Sequence, residues 1–274
     1  MAQYDSIGTQ YDIIKTTSFN KLERFNFRKH VEPFLQSPGN KLLDLACGTG
    51  FYSDLLLQWG AGLLVGMDIS SAMVDAARAR ISNTPYKDQA QFVQGDGLIP
   101  QPYSSTGAES FDVVTGAWFL NYASSSDQMV SMFQTISMNL KPGGVFVGIC
   151  PHPTNDLEPF ARGTNNSAWA KTGVHYKYGL ELPGGVGYKL RVFGSSSSSS
   201  NPSNGSVEFE CYHLKKSSYE EAARLGGMKG KIEWQTCTFL DQEWRKEVGL
   251  EDDDDGWHSL QEYPLLSILL IWKE

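Results

Sequence analysis

The chain has 274 residues, of which 41% are hydrophobic and 20% charged, and its formal net charge at pH 7 is −8. This length and hydrophobicity predict one large α/β domain with an insertion, and the acidic balance argues against a nucleic-acid substrate. No apolar run reaches the roughly 20 residues of a transmembrane helix, and the N-terminal residues lack the pattern of a signal peptide. Four scattered cysteines indicate reduced thiols and no zinc site. We therefore expect a cytoplasmic protein with no membrane or nucleic-acid partner.

From residue 41 onward, short apolar strand patterns alternate with helical patterns. In the segment 127–139 the apolar residues have helical spacing, and Ser70 or Ser71 can cap an earlier helix. This alternation predicts a doubly wound parallel sheet. The predicted strands are 41–46, 62–68, 90–94, 111–115 and 145–150, and the predicted helices are 51–59, 72–81 and 127–139.

The alternation breaks after strand 145–150, where the segment 151–216 shows no strand–helix repeat. Two alternating stretches, 185–193 and 206–214, flank the Ser-rich run 194–205, which predicts a β-hairpin with a mobile tip. The remaining predictions are a helix over 218–225, strands over 231–236 and 265–272, and a solvated loop without a metal site over Glu251–Asp255.

The sequence LLDLACGTGFYS, residues 42–53, leads from an apolar strand through a Gly-rich turn into a helix. Asp68 follows 18 residues after Gly50, at the end of the second predicted strand. The bare backbone at Gly48 and Gly50 lets a ligand approach closely, and a carboxylate at the next strand end accepts hydrogen bonds from a ribose. The pairing predicts a nucleoside-binding half-site.

Two ligand classes use this arrangement. A dinucleotide site requires a third Gly and directs a helix N-terminus at pyrophosphate, but Ser53 occupies that third position here. Asp44, four residues before Gly48, would repel pyrophosphate but can bind an ammonium, directly or through water. S-adenosylmethionine (SAM) has an ammonium, a ribose and no phosphate, so these residues favour SAM and disfavour a nicotinamide oxidoreductase.

The D-x-A-C-G-T-G form of residues 44–50 resembles motif I of class I SAM-dependent methyltransferases. FVQGDG at 92–97, FDVVTGAWFLNYA at 111–123 and LKPGGVFVGI at 140–149 resemble the third-, fourth- and fifth-strand motifs of that family. The resemblance implies an α/β, Rossmann-like, doubly wound and mostly parallel seven-stranded sheet with an antiparallel last strand. A single methyltransferase domain would then comprise an N-terminal helical cap (1–36), a SAM-binding core (37–150), an inserted β-hairpin lid over the substrate (151–216) and the C-terminal part of the sheet (217–274).

The N-terminal run resembles the cap helix of small-molecule methyltransferases such as UbiE-like enzymes and glycine N-methyltransferase. In those enzymes a Tyr and an Arg close over the amino-acid moiety of SAM, and the Arg pairs with its carboxylate. Tyr11 and Arg24 match best, with Tyr4 and Arg28 as rivals. The alternative places both arginines on a solvated helix face.

The resemblance also assigns the residues around the rest of SAM. Asp96 matches the acidic residue that bonds the adenine amino group, the Gly97 N–H serves adenine N1, and the backbone at Gly116 and Ala117 faces the methionine part. The complete predicted cofactor site consists of Tyr11, Arg24, Asp44, Ala46, Gly48, Gly50, Asp68, Ile69, Met73, Asp96, Gly97, Ala117 and Trp118.

Substrate-facing residues are expected beyond the carboxyl ends of strands four and five. His152 is the candidate general base because its position and its ordinary pKa suit proton transfer near pH 7, and Tyr122 is the second candidate catalytic residue. Trp118–Ser126 contains no carboxylate, so we predict metal-free SN2 displacement. Further candidates for the substrate side are Phe119, Asn121, His175, Tyr176, Tyr178, Tyr212 and His213.

The aromatic residues suit a small, flat methyl acceptor. The stretches NYA and YHLKKSSYEEA resemble a group that includes the toxoflavin-pathway methyltransferase, which implies a nitrogen-rich heteroaromatic acceptor. We therefore predict transfer to nitrogen, with oxygen as the close alternative, and S-adenosylhomocysteine (SAH) as product. A SAM-fold protein without transfer activity is the alternative from another class. The acceptor's identity and the oligomeric state stay open.

Overall fold

The computed structural model describes residues 8–164, 167–195 and 205–274. Its strands are β1 (Lys41–Leu45), β2 (Leu63–Asp68), β3 (Ala90–Gln94), β4 (Phe111–Ala117), β5 (Leu140–Cys150), β6 (Val174–Glu181), β7 (Gly187–Ser195), β8 (Ser206–Leu214), β9 (Ile232–Thr236) and β10 (Ser267–Trp272). Its α-helices are α1 (Ser18–Val31), α2 (Phe51–Gln58), α3 (Ser71–Ser82), α4 (Ser126–Asn139), α5 (Leu157–Thr164), α6 (Ser167–Ala170), α7 (Lys216–Leu225), α8 (Gln242–Glu247) and α9 (Asp254–Glu262). Short 3-10 helices span Gly8–Thr16, Glu32–Phe34, Leu120–Tyr122 and Pro183–Gly185.

Seven strands form the central sheet in the order β3-β2-β1-β4-β5-β10-β9. Strands β1 to β5 are parallel, whereas β10 pairs antiparallel with both β5 and β9. The strand order reverses between β1 and β4, and ligands bind beyond the carboxyl ends of the strands at such a point. The predicted Rossmann-like sheet with an antiparallel last strand is confirmed.

Two apolar cores cover the opposite faces of the sheet. Neighbouring strand residues alternate between them, with Leu42 in one core and Leu43 in the other. Helices α1, α2 and α3 pack on the first face, and α4 and α7 pack on the second, through buried residues such as Phe133 and Tyr219. Because both faces are covered, the strands read in the sequence as continuous apolar runs.

The N-terminal segment lies against the turn that follows β1. Thr49 Oγ1 donates a 2.6 Å hydrogen bond to Asp12 Oδ1, and Arg80 pairs with the other Asp12 oxygen at 2.6 Å. Thr17 then caps α1, because its hydroxyl accepts a hydrogen bond from the Asn20 N–H at 3.3 Å. A 3-10 helix and α1 therefore occupy the position of the predicted helical cap.

The insertion after β5 forms a separate antiparallel sheet in the order β6-β7-β8. The sequence indicated two of these strands and missed β6, whose C-terminal half, including Leu180, is exposed. Cross-strand ion pairs, Lys189–Glu210 at 2.7 Å and Arg191–Glu208 at 3.1 Å, lie on its solvent face. The Ser-rich tip predicted to be mobile falls, from residue 196 to 204, outside the described residues.

The acidic run Glu251–Asp255 differs from the predicted solvated loop because α9 begins within it. Asp253 caps this helix by accepting a hydrogen bond from the Gly256 N–H at 2.8 Å, and it pairs with Lys171 at 2.7 Å. Across the described ranges, no three His, Cys, Asp or Glu side chains are grouped to hold a metal ion. None of the helices in these ranges has both the length and the hydrophobicity to span a bilayer.

Candidate active site

Three alternate residues in the turn after β1 have left-handed backbone conformations. The φ angles of Ala46, Gly48 and Gly50 are 56°, 55° and 76°. A Cβ atom at Gly50 would lie 3.0 Å from Ala77, whereas the space beside Gly48 is open. Gly50 is therefore needed for the packing of α3, and Gly48 is the glycine that leaves room for a ligand. Ala46 holds a conformation that favours glycine, which the sequence did not reveal.

Asp68, at the end of β2, fixes this turn in place. Its Oδ2 accepts a hydrogen bond from the Gly48 N–H at 2.9 Å, and its Oδ1 accepts one from the Ser70 N–H at 2.9 Å. Only 6% of Asp68 is exposed, and it lines two neighbouring cavities. The carboxylate is positioned to accept further hydrogen bonds from a ligand in either cavity.

Asp44 is buried beneath the turn and lines neither of these cavities. Its Oδ2 accepts a 2.7 Å hydrogen bond from Ser53 Oγ, and its Oδ1 accepts one of 2.9 Å from Thr115 Oγ1. Burial raises the pKa of Asp44 to about 6, although the two hydroxyl hydrogen bonds oppose this rise. Asp44 can therefore act on a ligand's ammonium through its charge and not by direct contact.

The largest cavity at this end of the sheet, which we name the outer cavity, has a volume of about 250 Å³. Its polar rim includes Asp96, whose Oδ1 accepts a hydrogen bond from the Leu98 N–H at 2.9 Å. A Cβ atom at Gly97 would lie 2.4 Å from the Phe119 ring, so glycine is required for this close approach. The outer cavity is lined by Ala46, Met67, Asp68, Ile69, Gly95, Asp96, Gly97, Leu98, Phe119, Tyr122 and Met132.

A smaller middle cavity of about 40 Å³ adjoins the outer cavity. The two share the lining residues Ala46, Asp68 and Tyr122, so they adjoin at the turn after β1. Trp118, directly after β4, has a φ of 64° and is held by a 3.1 Å hydrogen bond from its N–H to the Ile149 carbonyl. The middle cavity is lined by Tyr11, Ala46, Gly48, Asp68, Met73, Ala117, Trp118 and Tyr122.

The third cavity, which we name the inner chamber, lies beneath the inserted sheet and has a volume of about 20 Å³. It shares Tyr11 and Trp118 with the middle cavity. This volume is enough for about one water molecule, so a larger molecule enters only after the wall moves. The chamber is lined by Tyr11, Ile14, Phe19, Glu23, Trp118, Asn121, Val174, Tyr176, Val192, Phe209 and Cys211.

A fully buried carboxylate, that of Glu23, lies in the wall of the inner chamber. Lys15 Nζ lies 3.2 Å from Glu23 Oε1, and only 7% of the Lys15 side chain is exposed. The same ammonium lies over the rings of Tyr11 and Tyr52, at 5.4 and 4.7 Å from their centroids. Sequence reasoning missed this buried ion pair. The four-residue spacing between Tyr11 and Lys15 was the signal that could have placed Lys15 beside Tyr11.

Arg24 is half-buried on α1 and lines none of the three cavities. Arg28, its predicted rival, is exposed and pairs with Glu32 at 2.9 Å. Tyr4 falls outside the described residues. The structure therefore brings Tyr11 to the cavities and places Lys15, not Arg24, beside it.

The structure places His152 away from the three cavities, against the inserted sheet. Its ring stacks on Phe160 with centroids 5.3 Å apart, and burial lowers its pKa. Its backbone oxygen lies 2.7 Å from His213 Nε2, while His213 Nδ1 lies 2.6 Å from the Tyr178 hydroxyl. Burial lowers the pKa of His213 to about 3, so this ring is neutral and joins the insertion to the end of β5. His152 is better explained as part of this junction than as a base.

Of the other predicted substrate-facing residues, Tyr176 and Asn121 line the inner chamber. Tyr122 lies between the outer and middle cavities, and burial raises its pKa well above the ordinary value. His175 instead stacks on Phe193 with centroids 4.9 Å apart. Tyr212 packs against the second core.

Comparisons with known proteins agree with this arrangement. A family model described as a methyltransferase domain matches residues 42–144. The demethylmenaquinone methyltransferase of Symbiobacterium thermophilum is 32% identical over 166 residues, which are 58% of this chain and 61% of that protein. Residues 42–144 are therefore similar to a methyltransferase domain, and this part of the chain resembles class I SAM-dependent methyltransferases. The match spans less than two thirds of that relative's length.

Solved structures share the fold of the methyltransferase domain. The PH0226 protein of Pyrococcus horikoshii aligns over 100% of both chains, with a TM-score of 0.60 and 17% identity. A SAM-dependent methyltransferase from Mesorhizobium loti aligns over 92% of this chain and 100% of its own, with a TM-score of 0.54 and 15% identity. At these identities the likeness concerns the fold alone.

Proposed function

We propose that this protein transfers a methyl group from SAM to a small-molecule acceptor. The observation that carries the proposal is that the three cavities adjoin in series. Ala46, Asp68 and Tyr122 join the outer to the middle cavity, and Tyr11 and Trp118 join the middle cavity to the inner chamber. A donor and an acceptor in this series would meet beside Trp118.

The outer cavity suits the adenosine part of SAM. Asp96 and Gly97 present polar groups at its rim, and Ile69, which is 45% exposed, offers an apolar surface to a flat base. Asp68 would accept hydrogen bonds from the ribose hydroxyls, since each oxygen already holds one backbone amide and retains acceptor capacity. These four residues were all in the predicted cofactor site.

The middle cavity suits the amino-acid part of SAM. Tyr11 closes it on one side, and the buried ammonium of Lys15 beside Tyr11 provides a partner for a carboxylate. The negative charge of Asp44, buried beneath the turn, would favour the ammonium. We therefore propose Lys15 in the role that the sequence assigned to Arg24.

SAM would supply an electrophilic methyl group on a sulfonium. The protein's part is then to hold an acceptor atom in line with the carbon–sulfur bond and to exclude water. Trp118 and Tyr122 are buried or nearly so at the junction of the cavities, and Trp118 is anchored by its indole N–H, which donates to Glu23 Oε2 at 2.9 Å. We propose these two residues as the positioning elements around the transferred methyl group.

The acceptor we propose is a small, flat molecule with a nitrogen or oxygen nucleophile. Phe19, Tyr176 and Phe209 give the inner chamber the aromatic wall that such a molecule needs. The relative from Symbiobacterium thermophilum is named for demethylmenaquinone, so a quinone is the competing acceptor class.

Calorimetry with SAH and NAD tests the cofactor assignment, and SAM with a labelled methyl group tests the transfer. We expect SAH to bind, NAD not to bind, and label from SAM to enter a nitrogen- or oxygen-methylated product in a metabolite extract. Binding of NAD without SAH would overturn the cofactor assignment. SAH binding without transfer to any component of the extract would favour a SAM-fold protein that lacks transfer activity.

A further inference from the structure

The wall of the inner chamber contains two side chains whose oxygen atoms can only accept hydrogen bonds, Glu23 and Asn121. We propose that these two residues select the methyl acceptor and require it to carry an N–H or O–H donor. This inference rests on the proposed function and specifies its acceptor. The hydroxyls of Tyr11 and Tyr176, also in the wall, impose no such requirement because a hydroxyl can both donate and accept.

Asn121 lies in the 3-10 helix after β4 and is 2% exposed. Its side chain forms a hydrogen bond with Cys211, whereas its Oδ1 is buried without any hydrogen-bond partner. A buried amide oxygen without a partner is unfavourable, because it has lost its hydrogen bonds to water. An acceptor that donates a hydrogen bond to this atom would remove that penalty when it binds.

Glu23 provides the second acceptor atom. Three donors converge on its Oε1, from Lys15, Asn20 and Tyr52. Its Oε2 accepts one hydrogen bond, from Trp118 at 2.9 Å. Each carboxylate oxygen has two acceptor positions, so Oε2 can take one more donor.

The charges in the wall limit the acceptor further. Lys15 already balances Glu23 and, in the proposed function, also faces the carboxylate of SAM, and the side chains of Lys15 and Glu23 are almost completely buried. A second carboxylate in the chamber would be left without a counter-charge, which is strongly unfavourable away from water. The acceptor is therefore a neutral, donor-bearing compound such as an amine, an N–H heterocycle or a phenol. An oxidised quinone, which can only accept hydrogen bonds, would leave the oxygen atoms of Glu23 and Asn121 without a donor.

Ligand-observed NMR on the SAH-saturated protein tests this selection with four probes of similar size. Aniline and phenol carry a donor, whereas toluene and anisole do not. We expect the two donors to bind at least about tenfold more tightly, because a site that hydrogen-bonds an O–H or N–H discriminates against analogues that lack it. Equal affinities for the four probes on protein that binds SAH would overturn the selection and leave the cofactor assignment standing. Failure of the protein to bind SAH would contradict both the cofactor assignment and the selection of the acceptor.

Two substitutions locate the effect. Asn121→Leu should reduce the preference for aniline and phenol by about tenfold, and Glu23→Gln should do the same in protein whose circular dichroism shows native folding. Val192→Ala, in the apolar wall of the same chamber, is the matched control and should weaken all four probes alike. If Asn121→Leu keeps the full donor preference, Asn121 is not a selecting residue, whatever the stability of the Glu23 variant.

Discussion

Ser53 Oγ donates a 2.7 Å hydrogen bond to Asp44 Oδ2 inside the core. In the sequence, Ser53 was the departure from the glycine pattern of dinucleotide sites, and Asp44 was a separate acidic signal. The structure joins the two, because the hydroxyl from α2 solvates a carboxylate that Thr115 holds from the other side at 2.9 Å. Ser53 therefore stabilises the buried carboxylate of Asp44, whereas a glycine at this position in a dinucleotide site would allow closer packing of the helix.

The pKa of Asp44 predicts how SAH affinity depends on pH. This pKa is raised to about 6, mainly by burial and also by nearby Asp68, while Ser53, Thr115 and Lys15 oppose the rise. Only the ionised carboxylate attracts the ligand's ammonium, so affinity should rise as pH increases through 6 and then level off. Below pH 6 the loss should be about tenfold per pH unit. Calorimetry at pH 5 and pH 7 measures this difference in SAH affinity.

Asp44→Asn is the control for this experiment, since it cannot ionise and should bind SAH weakly with little change between pH 5 and pH 7. If the wild-type affinity were the same at the two values, the charge of Asp44 would have no part in binding.

Asp68→Ala should lower SAH affinity by about 1.5–3 kcal/mol, or tenfold or more, because two ribose hydroxyls lose a charged acceptor. The loss includes the two amide contacts that Asp68 makes with Gly48 and Ser70. Asp75→Ala, which removes an exposed carboxylate from α3, should leave affinity unchanged. Calorimetry on both folded variants tests whether Asp68 binds the ribose. An unchanged SAH affinity for Asp68→Ala would contradict that assignment.

Lys15 and Arg24 provide a direct contrast in the N-terminal segment. Lys15→Met should weaken SAH binding tenfold or more because the carboxylate loses a charge-assisted partner. Lys15→Arg, which keeps the charge, should recover part of the affinity. Arg24→Met should have little effect, because Lys15 and not Arg24 lies against the cavity-lining residues Tyr11 and Glu23. The opposite ranking, measured by calorimetry, would restore the prediction made from sequence.

Ala46→Gly should stabilise the protein by up to about 1 kcal/mol, because its φ of 56° strains a residue that has a Cβ. The same substitution at Ala79, exposed on α3, should destabilise it by about 1 kcal/mol. Urea unfolding of the two variants measures the difference. A destabilised Ala46→Gly would show that the turn tolerates alanine without strain.

The residues that line the outer and middle cavities were largely predictable from sequence. Asp68, Asp96 and Ala117 each lie at or just beyond the end of a strand, and the topology of a parallel sheet brings such positions to one edge. The same reasoning placed His152 at this edge, but the inserted sheet packs over the end of β5 and takes that residue into its junction.

The inner chamber and the ion pair in its wall could not be predicted in the same way. Glu23 and Trp118 form a hydrogen bond across 95 residues of sequence, and no local pattern relates them. A glutamate on an amphipathic helix is normally exposed, so its burial became visible only with the packing of α1. Likewise, Lys15 precedes α1 in an irregular 3-10 helix whose position depends on Asp12 and its contacts.

The inner chamber is built from parts of the chain with different constraints. Trp118 and Asn121 follow β4 at the edge of the central sheet, whereas Val174, Val192 and Phe209 come from the insertion. Among its described residues, the insertion contributes none to the outer or the middle cavity. Under the proposed function, replacement of residues on β6, β7 and β8 should change which acceptor is methylated without changing how SAM is bound. The fold in this way provides an exchangeable wall through which related proteins could diversify their acceptors, and at which the acceptor range can be engineered.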